Sequence, residues 1–260
     1  MAQIWGKRDY AASMFDRSSV ARRLLYGSAT TAFGLVLTAC GSSTSGAGTS
    51  TGTPIHPQNG GSSLNVKPVS ASSSGKCSRA QAPVPRGAQR IPKPTLKLDP
   101  AKRYVVSLAT NCGAIEIELD VRQAPRTTAS FAYLVKRGFY NDLTFHRVAA
   151  DFVIQGGDPN GDGSGGPGYT IVEEPPSNMR YTLGTVAMAK TATDPSGASG
   201  SQFFIVTAPD AALPAQYALV GNVVGSFAGV DTIAKLPTNP PQDGAPTTPV
   251  VIRRATLSSS

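Results

Sequence analysis

The chain has 260 residues, 24 Lys/Arg against 16 Asp/Glu and a formal net charge of +8. The excess is confined to one part: residues 1–103 carry 14 Lys/Arg against 3 Asp/Glu, and residues 104–260 carry 10 against 13. With no basic excess after residue 103, nucleic acid is a poor partner, and a basic leader suits anionic lipid or an acidic cell envelope; ordinary solvated charge accounts for it equally well.

Arg17, Arg22 and Arg23 precede a moderately apolar run over residues 24–39, which ends in Leu37-Thr38-Ala39-Cys40. Gly27, Ser28, Thr30, Thr31 and Gly34 interrupt it, and it falls short of the roughly 20 apolar residues that a membrane-spanning helix needs. A positive region, a short apolar region and small residues at a cut site mark a secretory signal. The Leu-Thr-Ala-Cys end resembles a bacterial lipobox, where cleavage precedes a cysteine that is then acylated. That resemblance implies a signal peptide over residues 1–39, lipidation at Cys40, and a lipoprotein anchored outside the cytoplasm to a bacterial cell membrane. An uncleaved signal anchor and a soluble secreted product are the alternatives, and both also place the protein outside the cytoplasm.

Residues 40–103 read as a disordered tether. Residues 41–75 are mostly Gly, Ser and Thr, with no aromatic and few aliphatics, too little apolar surface to offset the entropy of ordering. As a flexible coil, residues 41–76 reach about 30–36 Å. Pro83, Pro85, Pro92, Pro94 and Pro100 stiffen the following segment toward polyproline. With Cys40 acylated, Cys77 and Cys112 are left over, and in an oxidising compartment they are a candidate disulfide; two unrelated thiols are the alternative.

From residue 104 the pattern changes. Tyr104, Val106 and Leu108 alternate with other residues, and Ile115, Ile117 and Leu119 alternate with Glu116, Glu118 and Asp120. This period of two predicts two half-buried strands, with Asn111-Cys112-Gly113 as the turn of a hairpin. Pro125 opens a helix in which Phe131, Leu134 and Val135 share a face, and Gly138 closes it. Residues 145–148, 152–155, 185–189, 202–206 and 218–224 read as short strands, residues 226–236 as a second helix, and residues 250–256 as a closing strand. The expected fold is mainly β: a closed eight-stranded antiparallel barrel capped by two helices, over residues 104–257.

Three segments stand out: Phe145-His146-Arg147-Val148 leading to Phe152-Val153-Ile154-Gln155-Gly156-Gly157-Asp158, then Gly163-Ser164-Gly165-Gly166, then Ala187-Met188-Ala189 followed by Gly200-Ser201-Gln202-Phe203-Phe204. In order and spacing they resemble the cyclophilin-type peptidyl-prolyl cis-trans isomerases. That resemblance implies Arg147, Phe152 and Gln155 as catalytic residues. It implies Val153, Ala189, Lys190, Gln202, Phe204, Leu213 and Tyr217 as substrate-binding residues around a proline pocket. Val153 stands where many members have Met, Lys190 where the best-known members have Asn, and Ala212 where many have Trp. The loop over residues 191–199 is longer than theirs. These departures bear on substrate preference and on binding of cyclosporin-type ligands.

The chemistry implied is non-covalent, with no cofactor and no metal. Proline-containing exported polypeptides are the expected clients, and a monomer is the expected state. A non-catalytic proline-peptide binding module or chaperone in the cell envelope is the alternative. Rival chemistries lack residues. Asp158, Asn160 and Asp162 imitate the start of a calcium loop, but its twelfth position is Tyr169 rather than Glu. His56 and His146 are the only histidines, too few for a histidine metal cluster.

Overall fold

Alternation of apolar and charged residues produces β1 (Tyr104–Thr110) and β2 (Gly113–Leu119), joined through Asn111 and Cys112. Val106, Leu108, Ile115, Ile117 and Leu119 turn inward, while Glu116 and Glu118 remain on the outer face. The structure is a computed structural model and describes residues 75–260; the signal, Cys40 and the first part of the tether lie outside the described residues. Pro125 begins α1 (Pro125–Lys136) at a position where its missing N–H costs nothing, and Gly138 ends it at φ +68°. The helix has no side-chain cap of its own. Glu173 instead accepts hydrogen bonds from the Arg126 and Thr127 backbone N–H groups at 2.9 and 2.6 Å, matching a carboxylate to the positive helix end.

The remaining elements are β3 (Leu143–Ala149), β4 (Val153–Asp158), β5 (Ile171–Val172), β6 (Thr185–Met188), β7 (Ala198–Ser199), β8 (Phe203–Val206), β9 (Leu219–Val224), α2 (Ala228–Ala234), β10 (Thr238–Asn239), β11 (Asp243–Pro246) and β12 (Val251–Ser259). Eight strands form a ring in the order β3-β12-β1-β2-β9-β6-β8-β4, and β4 pairs back with β3. Every pairing in the ring is antiparallel. This closed barrel with two helices is the architecture expected from the sequence. Two features were not expected: the β10–β11 hairpin, which attaches to β3, and the small β5–β7 sheet. The core packs Phe131, Tyr140 and Phe145 edge-on around Phe203, at ring separations of 5.4–5.7 Å to that ring, a geometry that aromatic quadrupoles favour.

Residues 75–103 run without helix or strand along the barrel, so the expectation of a disordered tether does not extend to them. Cys77, Ile91, Leu96 and Leu98 pack against the barrel core. The backbone N–H groups of Ser78, Arg86 and Ile91 donate to the carbonyls of Asn111, Pro159 and Pro167. The Arg86 guanidinium donates to the carbonyls of Phe139, at 2.8 Å, and Asn141. A disulfide joins Cys77 to Cys112, tying the start of this strap to the β1–β2 turn.

Candidate active site

Strands β4, β6 and β8 are buried on both faces, and their period of two sorts side chains between two apolar clusters. Ile154, Val186, Met188, Phe203 and Ile205 face the barrel core. Val153, Ala187, Phe204 and Val206 join a second cluster with Ala149, Phe152, Tyr181, Ala189, Ala208 and Tyr217, and Met179 and Leu213 pack on its edge. Six of the residues singled out from the sequence, Phe152, Val153, Ala189, Phe204, Leu213 and Tyr217, are thus brought together. The Tyr217 ring meets Phe204 at 5.5 Å and Tyr181 at 5.9 Å, both edge-on. The Tyr181 hydroxyl donates to the Tyr217 carbonyl at 2.7 Å and accepts from the Tyr217 N–H at 3.0 Å, which locks the wall of the slot.

One row of the sheet carries the polar half. Arg147 on β3 lies opposite Gln155 on β4, Gln155 opposite Phe204 on β8, and Phe204 opposite Ala187 on β6. Arg147 Nη1 donates to Gln155 Oε1 at 3.2 Å, and Gln155 Nε2 donates to Gln202 Oε1 at 3.0 Å. Gln202 Nε2 in turn donates to the carbonyls of Gly163 and Gly165 at 2.8 and 2.9 Å. Two carbonyl acceptors oblige the Gln202 amide to present its oxygen to Gln155. Gln155 must then present its own oxygen to the guanidinium. The glycine loop therefore sets the polarity of the whole relay. That loop is wound around Asp158, which accepts from the N–H groups of Asn160, Asp162 and Gly163. Glycine is required at 165, where a Cβ would sit 2.2 Å from Asp158 Oδ1.

Arg147 is the cation at the rim of this slot, its side chain 11% exposed. Its Nε and Nη2 donate to the two carboxylate oxygens of Asp243 at 2.7 and 2.8 Å. Burial raises the Tyr217 phenol above its ordinary range, with the Arg147 charge pulling the other way, and burial pushes Tyr181 up to about 12. Burial lowers His146 to about 4, assisted by the Arg147 cation and opposed by Asp158. That imidazole is therefore neutral at pH 7. Lys190, also buried, donates from Nζ to the carbonyls of Thr191 and Asp194, each at 3.1 Å, and stands 5.6 Å from the Tyr217 ring centroid. It also lines a neighbouring cavity of about 360 Å³, together with Ala189, Gln202 and the Gly163–Gly168 stretch.

Residues 105–257 match the family model for cyclophilin type peptidyl-prolyl cis-trans isomerases. The chain belongs to this family. Mouse peptidyl-prolyl cis-trans isomerase-like 1 is 38% identical over 138 residues, covering 52% of this chain and 81% of that protein. A peptidyl-prolyl cis-trans isomerase of Helicobacter pylori is 38% identical over 137 residues, 52% of this chain and 82% of its own. Peptidyl-prolyl cis-trans isomerase B of Streptomyces anulatus is 37% identical over 161 residues, 55% of this chain and 90% of its own. A crystal structure of a Cryptosporidium parvum cyclophilin, determined in the presence of the dipeptide Ala-Pro, superposes with a TM-score of 0.55 at 29% identity. It covers 60% of this chain and 99% of that one. The protein is therefore a peptidyl-prolyl cis-trans isomerase, and the non-catalytic binding module weighed from the sequence gives way to an enzyme.

Two residues of this candidate site are not marked by the sequence. Tyr181 lies in a polar stretch with no alternation to mark it as buried. Asp243 stands 96 positions from Arg147 in a segment whose prolines and glycine read as loop, and nothing local to it announces an ion pair.

Proposed function

We propose that this isomerase accelerates exchange about X-Pro bonds of exported polypeptides, as a monomer held outside the cytoplasm on a bacterial cell membrane by lipid at Cys40, with Arg147 as the residue that lowers the barrier. One observation carries the mechanistic part: a buried guanidinium in the same sheet row as Gln155 and Phe204, on the face that forms the apolar cluster. Rotation about a peptide bond costs about 18–20 kcal/mol because resonance must be broken, and unaided X-Pro exchange takes tens to hundreds of seconds. At the half-rotated point the prolyl nitrogen regains a localised lone pair. A donor aimed at that nitrogen binds the twisted imide more tightly than either planar form, which is the condition for catalysis. Arg suits the task because it stays charged and presents a rigid plane. Phe152, Val153, Phe204 and Leu213 supply an apolar slot for the pyrrolidine ring. Gln155 and Gln202 hold the polar rim, and Ala189, Lys190 and Tyr217 border the path of the residues preceding proline.

The location rests on different residues. Leu37-Thr38-Ala39-Cys40 supports lipidation, and the Cys77–Cys112 disulfide suits an oxidising compartment. Among the described residues no helix is long and apolar enough to cross a membrane. Fractionation of cells carrying Cys40→Ser tests the anchor: release of the protein from the membrane is expected, and unchanged association sinks it. Exchange NMR on an X-Pro peptide tests the activity, and a wild-type chain that leaves the exchange rate at its uncatalysed value refutes it.

A further inference from the structure

The β10–β11 hairpin contributes nothing to closing the barrel, since the eight-strand ring is complete without it. It is nevertheless held firmly against β3. Asp243 and Gly244 pair with Ala149 and Val148, and the Ala150 N–H donates to the Gln242 carbonyl at 2.7 Å. Gly244 passes so close to Asn239 and Pro240 that a Cβ there would lie 2.6 Å from their backbone atoms. What this docking delivers is one carboxylate, set against the guanidinium at the rim of the proline slot.

We infer that Asp243 is a positioning residue for the isomerase reaction: it fixes the plane and direction of the Arg147 guanidinium so that the Nη1 edge is presented to the twisted imide. This rests on the role given to Arg147 above. The contact is a two-pronged one, Nε to Oδ1 at 2.7 Å and Nη2 to Oδ2 at 2.8 Å, the geometry that defines orientation as well as attraction. Gln155 adds one 3.2 Å bond at Nη1, and a single bond of that kind does not define the guanidinium plane. With both partners in place, all three guanidinium nitrogens are directed. A carboxylate also offsets part of the positive charge that would stabilise the lone pair, so orientation and charge pull the rate in opposite directions. We place orientation first, because a misdirected group loses most of its catalytic effect, on the order of 10²-fold for a 1 Å displacement.

The test is a double-mutant cycle in the full chain, read by NMR exchange on an X-Pro peptide with kcat and KM separated, and by thermal melting. Asp243→Asn keeps the size of the side chain but offers a single acceptor oxygen in place of the two-oxygen fork. It is expected to lower kcat about tenfold with KM within twofold, and to have no further effect in an Arg147→Ala background. A merely structural role would lower the melting temperature and reduce the residual rate equally in both backgrounds, which overturns the inference. A rate equal to or above wild type for Asp243→Asn also overturns it, by showing that charge outweighs orientation. If Arg147→Ala itself matches wild type, the role of Arg147 falls and this inference falls with it, an outcome distinct from failure at Asp243 alone.

Discussion

Substituting Gln155 by Leu cuts the polar relay at its centre while keeping side-chain volume close to constant. Gln155 is 1% exposed, so water does not replace the bonds it loses. The bond accepted from Arg147 Nη1 at 3.2 Å is charge-assisted, and the one donated to Gln202 at 3.0 Å is neutral. Such bonds are worth about 1.5–3 and 0.5–1.5 kcal/mol respectively, so the folded state should lose about 2–4 kcal/mol. At about 2–4 °C per kcal/mol for a domain of this size, the melting temperature should fall by on the order of 10 °C. Arg147 keeps its grip on Asp243, so the guanidinium stays in the cleft but loses its register on the Nη1 side. Turnover should drop about tenfold. Peptide affinity should change little, because the apolar cluster is untouched. Exchange NMR at saturating peptide, paired with thermal melts, reads both numbers. A Gln155→Leu protein that melts lower yet turns over at the wild-type rate refutes the claim that the relay orients the cation.

Three further outcomes follow from other parts of the molecule. His146, lowered by burial from 6.5 to about 4, binds fewer protons folded than unfolded between those values. It therefore contributes stability that is present above about pH 6.5 and lost as pH falls toward 4, by at most about 3 kcal/mol. Melts at pH 4 and 7 should show a smaller pH effect for His146→Gln than for wild type, and equal slopes contradict the assignment. Replacing Cys77 and Cys112 by Ser opens a loop spanning 35 positions and should cost about 3–4 kcal/mol in denaturant unfolding, with kcat unchanged because the slot lies elsewhere; no loss of stability contradicts it. Gly165→Ala places a methyl group against Asp158 Oδ1, so it should displace the loop that orients Gln202 and lower activity about as Gln155→Leu does; a fully active variant shows that the loop does not set the relay.

The first hairpin of the barrel was legible because antiparallel strands that bury one face, as β1 and β2 do, write their register as alternation. Ile115, Ile117 and Leu119 against Glu116, Glu118 and Asp120 needed no other information. In the apolar half of the candidate site, Phe152, Val153, Ala189 and Phe204 cluster together, and all four lie within the three marked segments. What the sequence hid has physical reasons. The β5–β7 and β10–β11 strands are two to four residues long, too short for a period to register, and Pro240, Pro241 and Gly244 made the second pair read as loop. The strap over residues 75–103 was misjudged because composition averages over a window. Its ordering rests on isolated anchors, Ile91, Leu96 and Leu98 against the core and Arg86 on two carbonyls, and each is useful only once the barrel supplies a surface. Asp243 is the sharpest example. Its value lies in a pairing of β11 with β3, and that tertiary contact leaves no trace near either residue.

In the proposed mechanism one oriented guanidinium binds the half-rotated imide more tightly than the planar one. The most direct measurement compares kcat for wild type and Arg147→Ala by exchange NMR on one X-Pro peptide, with the dissociation constant measured alongside. Loss of a donor aimed at developing charge costs about 10²–10³ in turnover, so kcat should fall by that order while binding changes little. Equal turnover in the two proteins, or a loss carried wholly by weaker binding, rules that mechanism out.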